Sequence, residues 1–232
     1  MCYEAITCPR CSSRDIRKNG KSLQRKQRYQ CAGCRRQFIT NYINLGCLPE
    51  IRRLIIVLTI NGCGVRDLER ALHVSPNTVL KVIREEAAAV PEPAVPCRVQ
   101  TLALDEFWSF VGSKRHPRWT WYGFDRQRRR VVAFANGRRT DESGRELCRK
   151  LGRGRVNTYR TDKWPTYARC LPRRRHHTSK EGTCRIERNH LNFRTRVKRL
   201  QRHTICYSRS PELHDAVIKL FIHYSNSKHH HF

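Results

Sequence analysis

Two sets of side chains in this sequence have the types and spacing to do chemistry. The first is four cysteines in two pairs, Cys8-Pro9-Arg10-Cys11 and Cys31-Ala32-Gly33-Cys34. A two-residue gap lets a tight turn aim both sulfurs at one point, and four thiolates around one point make a tetrahedral shell for Zn2+. A closed shell leaves no open position for water or substrate, so this zinc is expected to be structural. The second set is Asp105, Asp162 and Glu187, three carboxylates in a strongly basic chain. Hard oxygen ligands suit Mg2+, and two such ions can activate an attacking oxygen and stabilise the leaving oxygen of an in-line phosphoryl transfer. Arg194 follows Glu187 by two helical turns on the same face, where it can hold a phosphate beside the metals. Each acid also has a plainer reading. Asp162 suits a helix cap, Glu187 an ion pair with Arg185 or Arg188, and Asp105 competes with Glu106 for the inward-facing position, with Asp125 a further rival. Strand alternation leaves Asp105 against Glu106 open, because nothing in the sequence sets the register.

The elements that must position these groups follow from the pattern around them. Between the cysteine pairs, Asn19-Gly20 is a favoured hairpin turn, flanked by Ile16 and by Gln27-Arg28-Tyr29, and Arg35 to Phe38 follow the second pair. Residues 1–45 therefore read as a zinc ribbon. From Pro49, the residues Ile51, Leu54, Ile55 and Leu58 recur at helical spacing up to Asn61-Gly62-Cys63-Gly64. A second helix starts at Val65 and turns Leu68, Ala71 and Leu72 inward. After His73-Val74, Ser75-Pro76 forms an N-cap and first-turn pair for a third helix through Glu86. Residues 46–88 thus read as a helix-turn-helix DNA-binding module. Its last helix offers Asn77, Thr78, Lys81 and Arg84 to the major groove. A Pro-rich linker at 89–97 stiffens the chain and ends the helix.

Residues 98–232 hold the acids. Strand-like stretches run from Val99 to Asp105, Trp119 to Asp125 and Val131 to Ala135, so that Asp105 is expected to end the first. Thr140-Asp141-Glu142 opens a helix to Leu151, a strand from Arg155 to Thr161 delivers Asp162, another helix starts near Trp164-Pro165, and Ile186 to Leu200 carries Glu187. This is an α/β layer architecture. Its order matches the ribonuclease H-like arrangement, with carboxylates at strand ends and one more on a later helix.

The composition narrows the partners. With 48 Lys and Arg against 19 Asp and Glu, the net charge is +29 and the sequence pI about 10.6. The excess runs through both halves of the chain, as an extended nucleic-acid footprint requires. The longest apolar stretch, Leu54 to Leu58, is far too short to span a bilayer, and no secretory signal is visible at the N-terminus, so a reducing cytoplasm is expected. Eight of the 12 cysteines lie outside the two pairs and read as core residues or spare thiols. The triplet His229-His230-His231 is weak evidence for metal.

The segments Thr101–Trp108, Thr161–Pro165, Arg185–Asn189 and Thr204–His214, taken with the order of the modules, resemble the transposases of the insertion-sequence-one type. In that family a zinc-finger and helix-turn-helix half (InsA) is joined to a catalytic half (InsB) with an aspartate, aspartate, glutamate triad on a ribonuclease H-like fold. The resemblance places the triad on Asp105, Asp162 and Glu187, preferring Asp105 to Glu106, and gives Arg194 the place of a basic residue after the glutamate. It implies a DNA transposase that binds terminal inverted repeats, cuts with Mg2+, and joins the freed 3′ hydroxyl to target DNA. It further implies a homodimer or higher oligomer in the synaptic complex and a prokaryotic, nucleoid-associated location. Family members are commonly joined by frameshifting, whereas this chain is continuous. The alternatives are a repressor of transposition with an inactive catalytic domain, and a nuclease with the same metal chemistry but no strand transfer.

Overall fold

A computed structural model describes residues 5–23, 25–40, 45–152, 155–178, 184–201 and 205–227; the triplet His229-His230-His231 and Thr204 lie outside the described residues. The chain divides into two compact units, Met1–Ile51 and Arg52–Phe232.

In the first unit, β1 (Ile16–Lys21), β2 (Gln27–Cys31) and β3 (Gln37–Ile39) form an antiparallel sheet in that order. Cys8, Cys31 and Phe38 are its buried centre, with Ile6, Ile16 and Tyr29 packed around them. The reversal between β1 and β2 is not at Asn19-Gly20, as the dipeptide suggests, but at Ser22 to Lys26, where the Ser22 N–H donates to Lys26 O at 2.8 Å. Gly20 has φ +65°, and the register shifts between Lys18 and Lys21. The glycine thus supplies the left-handed residue of a bulge inside the strand, a role as dependent on positive φ as a turn is.

The second unit opens with three helices. The unit boundary falls within α1 (Pro49–Ile60), which is followed by α2 (Val65–Leu72) and α3 (Pro76–Ala89). Asp67 Oδ2 accepts from the Gly64 N–H at 2.8 Å to start α2, and His73 ends it at φ 51°. Ser75 Oγ then accepts from the Thr78 N–H, with Pro76 in the first turn of α3, the expected cap. Two inward positions differ from the periodicity. Leu54 is 41% exposed and Ala71 is exposed, while Ile55, Ile56, Thr59 and Ile60 carry the buried stripe of α1 and Val74 closes the core beyond α2. With Leu54, Ile55, Ile56, Val57 and Leu58 in succession, spacing alone does not say which stripe turns inward.

The main sheet has the order β6-β5-β4-β7-β8, from β4 (Arg98–Val111), β5 (Ser113–Asp125), β6 (Arg130–Gly137), β7 (Arg155–Thr161) and β8 (His176–Thr178). The first three form an antiparallel meander, and β7 and β8 add in parallel. The connections contain α4 (Asp141–Leu151) and α5 (Pro165–Cys170), and α6 (Cys184–Arg196) and α7 (Pro211–Asn226) follow β8. Asp105 does not end its strand. β4 runs six residues further, because Glu106-Phe107-Trp108-Ser109-Phe110-Val111 pair with the start of β5 around a turn at Gly112, φ +75°.

Helices cover both faces. On one, Leu102, Leu104 and Trp121 pack with Leu147, Leu151 and Tyr167 of α4 and α5. On the other, Phe193 of α6 lies 4.8 Å from both Phe107 and Phe221 of α7, measured between ring centroids. Helix α3 rests on α7: Lys219 Nζ donates to Ala87 O at 2.9 Å and the Tyr224 hydroxyl to Glu86 Oε1 at 2.7 Å. Among the described residues no helix is long and apolar enough to cross a membrane.

Candidate active site

The end of β7 creates the site. β4 pairs with β7 only as far as Ala103 and Arg160, yet it continues beside β5 through the pairs Asp105–Tyr122 and Glu106–Trp121. Asp105 and Glu106 therefore lie just beyond the reach of β7, and Asp162 is the first residue after it. One carboxylate oxygen from each of these three lies within 4.8 Å of the others.

Each acid has a different environment. Glu106 is buried, and its Oε1 accepts from Arg139 Nε at 3.0 Å and Nη2 at 2.8 Å. Its Oε2 accepts from the Tyr167 hydroxyl at 2.8 Å. Arg139 is stacked between Trp119 and Trp164, with its guanidinium carbon 4.8 and 4.0 Å from their ring centroids. The Trp164 backbone N–H donates to Asp162 Oδ1 at 3.0 Å, so one tryptophan both braces the arginine and orients the second aspartate. Asp105 Oδ1 accepts from the Glu106 N–H at 2.8 Å. Burial, with the charges of Glu106, Asp162 and Glu187, pushes its carboxyl up to about 7 despite that bond. His190 Nε2 is 3.7 Å from Asp105 Oδ2, too far for a hydrogen bond, and burial with the charge of Arg194 holds its imidazole down at about 4.

Glu187 stands in the first turn of α6, exposed and outside the close cluster, but near enough for its charge to reach Asp105. Arg194 lies on the same helix and is partly buried. The structure thus brings Asp105 and Asp162 together with Glu106, while Glu187 and Arg194 flank them on α6. The contributions of Glu106, Arg139, Tyr167, Trp164 and His190 are not legible beforehand. The available signals were the adjacent acids at 105 and 106 and the three-residue spacing of Glu187 and His190, which puts both on one side of a helix. Asp125, the other rival, is buried and is committed to the turn after β5, accepting from the Gln127 and Arg128 N–H groups and from Arg128 Nη1.

The donor set at Asp105, Asp162 and Glu106 is all carboxylate oxygen, and burial together with the neighbouring carboxylate charges raises Asp105; both features fit a divalent cation. The four cysteines fit zinc. Cys8 Sγ lies 3.5 Å from Cys34 Sγ, Cys11 Sγ lies 3.5 Å from Cys31 Sγ, and all four sulfurs lie within 4.8 Å of one another. A tetrahedron with Zn–S bonds of about 2.3 Å needs sulfurs about 3.8 Å apart. The Arg10 and Cys34 N–H groups donate to Cys8 Sγ and Cys31 Sγ, as thiolate ligands require. Burial raises the Cys8 thiol, but the N–H groups of Arg10 and Cys11 with the neighbouring sulfurs bring it down to about 6.

On α3, Asn77 and Lys81 are exposed and Thr78 is spent partly on the cap, its Oγ1 2.9 Å from Ser75 Oγ. Arg84 is drawn to α7 instead, with Nε 3.1 Å from Glu212 Oε1.

Residues 99–231 match the IS1 transposase family, and residues 1–35 match the InsA N-terminal domain. The chain is 49% identical over 119 residues to the iso-IS1n protein InsB of Shigella dysenteriae, covering 51% of this chain and 91% of that protein. It is 44% identical over 126 residues to the IS1 protein InsB of Shigella flexneri, covering 54% and 94%. For an IS1 InsB of Escherichia coli K12 the identity is 43%, covering 54% of this chain and 74% of that protein. A zinc ribbon of the InsA type and a DDE catalytic half of the InsB type stand here in one continuous chain, and the chain belongs to the IS1 transposase family.

Proposed function

We propose that this transposase cuts DNA at the terminal inverted repeats of its element and joins the freed ends to target DNA, using Asp105, Asp162 and Glu187 as its catalytic acids. The observation that carries this reading is the meeting of Asp105 and Asp162 where β7 ends beside β4, with α6 bringing Glu187 alongside. The strand order and the helices on both faces support a ribonuclease H-like assignment. The short connection His73 to Ser75 between α2 and α3 supports a helix-turn-helix, with Asn77, Thr78, Lys81 and Arg84 directed to DNA. The domain limits proposed from sequence, 1–45, 46–88, 89–97 and 98–232, assign the ribbon and helices to end recognition and the remainder to chemistry.

Two Mg2+ ions would supply activation of the attacking oxygen and charge stabilisation on the leaving one. Asp105, Asp162 and Glu187 would hold them. Glu106, already committed to Arg139 and Tyr167, keeps Arg139 and the Trp164 ring in place, and through the Trp164 N–H the orientation of Asp162. Arg194 would neutralise the phosphate beside Glu187. In the first step water attacks phosphorus and the bond to the 3′ oxygen breaks, leaving a 3′ hydroxyl. That hydroxyl then attacks a target phosphodiester, forming one bond to phosphorus as the target's own 3′ oxygen leaves. Two ends must be held together, which favours a homodimer or larger assembly. Acting on DNA in a prokaryotic cell, the protein would be nucleoid-associated in the cytoplasm.

The test is Mg2+-dependent cleavage and strand transfer on the element's own ends, comparing the intact protein with Asp162→Asn. Cut and joined products, lost in the variant, are expected. Cleavage without joining points to a nuclease, and binding without either reaction to a repressor.

A further inference from the structure

A second basic feature lies on the other flank of the catalytic helix. Helix α6 buries Ile186 and Phe193, and Val197 just beyond its end, against the rest of the unit. Glu187, Leu191 and Arg194 lie to one side of that seam, and Arg188, Asn192 and Arg196, spaced by four, lie to the other. This second side walls a cavity of about 440 Å3, closed by the start of β6 and the end of α7. Arg129, Arg130, Arg188 and Arg196 line it, and no carboxylate does. None of the four is in an ion pair among the described residues. Arg130 Nε is buried there without a hydrogen-bond acceptor. The wall itself is pinned: Asn226 Oδ1 accepts from the Val131 N–H at 2.9 Å and its Nδ2 donates to Val131 O at 2.6 Å.

Four arginines lining one concavity without a carboxylate leave its positive charge unbalanced, and the buried Arg130 Nε without an acceptor costs free energy. An acceptor-rich anion relieves both, and phosphate oxygens match the guanidinium fork. We infer that this cavity binds the phosphodiester backbone of a DNA segment other than the one whose phosphate lies at the carboxylates. This rests on the reading that the protein acts on DNA and adds to it a second place of contact. Helix α6 carries Glu187 on one flank and lines the cavity with the other. In the proposed strand transfer the element end and the target meet at the acids, and their flanking segments need contacts away from them.

The experiment uses the full zinc-loaded chain and a labelled random-sequence duplex of about 30 bp without divalent metal, with affinity followed by anisotropy from about 50 to 300 mM NaCl. Arg129→Gln with Arg196→Gln, on two different elements, is expected to flatten the slope of log K against log salt by about 2. Asn192→Asp, which puts a carboxylate into the cavity, is expected to weaken binding at low salt. Arg145→Gln with Arg149→Gln removes the same charge from α4 and is expected to change the slope by less than half as much. Thermal melting checks that every variant is folded. If the cavity variants, folded, keep the slope and affinity of the intact protein, or if the α4 pair flattens the slope equally, the cavity is not a DNA site while the transposase reading stands. If the intact protein does not bind duplex at all, both fall together.

Discussion

Arg139 donates twice to a single carboxylate oxygen of Glu106, and the ring of Trp164 that supports this guanidinium is attached to the backbone N–H that holds Asp162. A buried ion pair next to the acids thus acts as their scaffold. Removing one partner of a buried pair costs about 3–5 kcal/mol, and since the Arg139 side chain is 36% exposed the expected loss for Arg139→Ala is smaller, about 2 kcal/mol. The double variant with Glu106→Gln is expected to lose less than the two single losses added, because the glutamine leaves no uncompensated charge. Urea unfolding of the four proteins checks this, and strict additivity would count against the pair.

The zinc assignment predicts one Zn2+ per chain. Cys31→Ser is expected to lose the ion and with it the fold of residues 1–45, because Cys31 is both a ligand and a member of the small buried centre. Metal analysis of the purified protein, with near-ultraviolet dichroism before and after chelation, reads both. Full folding of the first unit in metal-free protein would remove the zinc.

A buried histidine predicts acid sensitivity. His214 is fully buried between Ser109 Oγ and Ser208 Oγ, each 3.0 Å from a ring nitrogen. Burial, with the charges of Arg199 and Arg118, holds it down at about 3; Asp215, the next residue of α7, is paired with Arg118. Because the unfolded chain binds the proton at about 6.5 and the folded one at about 3, stability from this group is full above the higher value and falls as pH drops below it, by about 1.4 kcal/mol per unit. Unfolding free energies at a series of pH values between these limits should fall less steeply for His214→Gln than for the intact protein. Parallel curves would show that His214 does not titrate on unfolding.

If Arg84 contacts DNA as proposed, its ion pair with Glu212 competes for the same guanidinium. Both side chains are largely exposed, so the pair is weak and its release should have a modest effect. Glu212→Gln is expected to tighten duplex binding about two- to threefold, measured at low salt. Unchanged affinity would place Arg84 outside the DNA contact.

Much of this protein was legible in the order of its residues. The cysteine pairs, the Ser75-Pro76 start of α3, the strand from Arg155 to Thr161 and the helices at Asp141 and Pro165 all follow from local rules: metal-ligand spacing, capping and alternation act over a few residues and leave a trace in sequence. The bulge at Gly20 and the exposure of Leu54 and Ala71 were not legible, since a glycine with positive φ serves a turn or a bulge equally and an apolar helix has several candidate stripes. The acids divide in the same way. That Asp105 and Asp162 are candidate acids is visible in residue type and in the resemblance of their segments, but that β4 runs on to Val111, and that Glu106 turns to Arg139 and Tyr167 while Asp105 stays beside His190, depends on where β7 ends. Partners drawn from β4, the segment after β6, α5 and α6 meet only when the sheet and its two helical layers close, and contacts between residues 33 or 61 positions apart leave no local pattern to read.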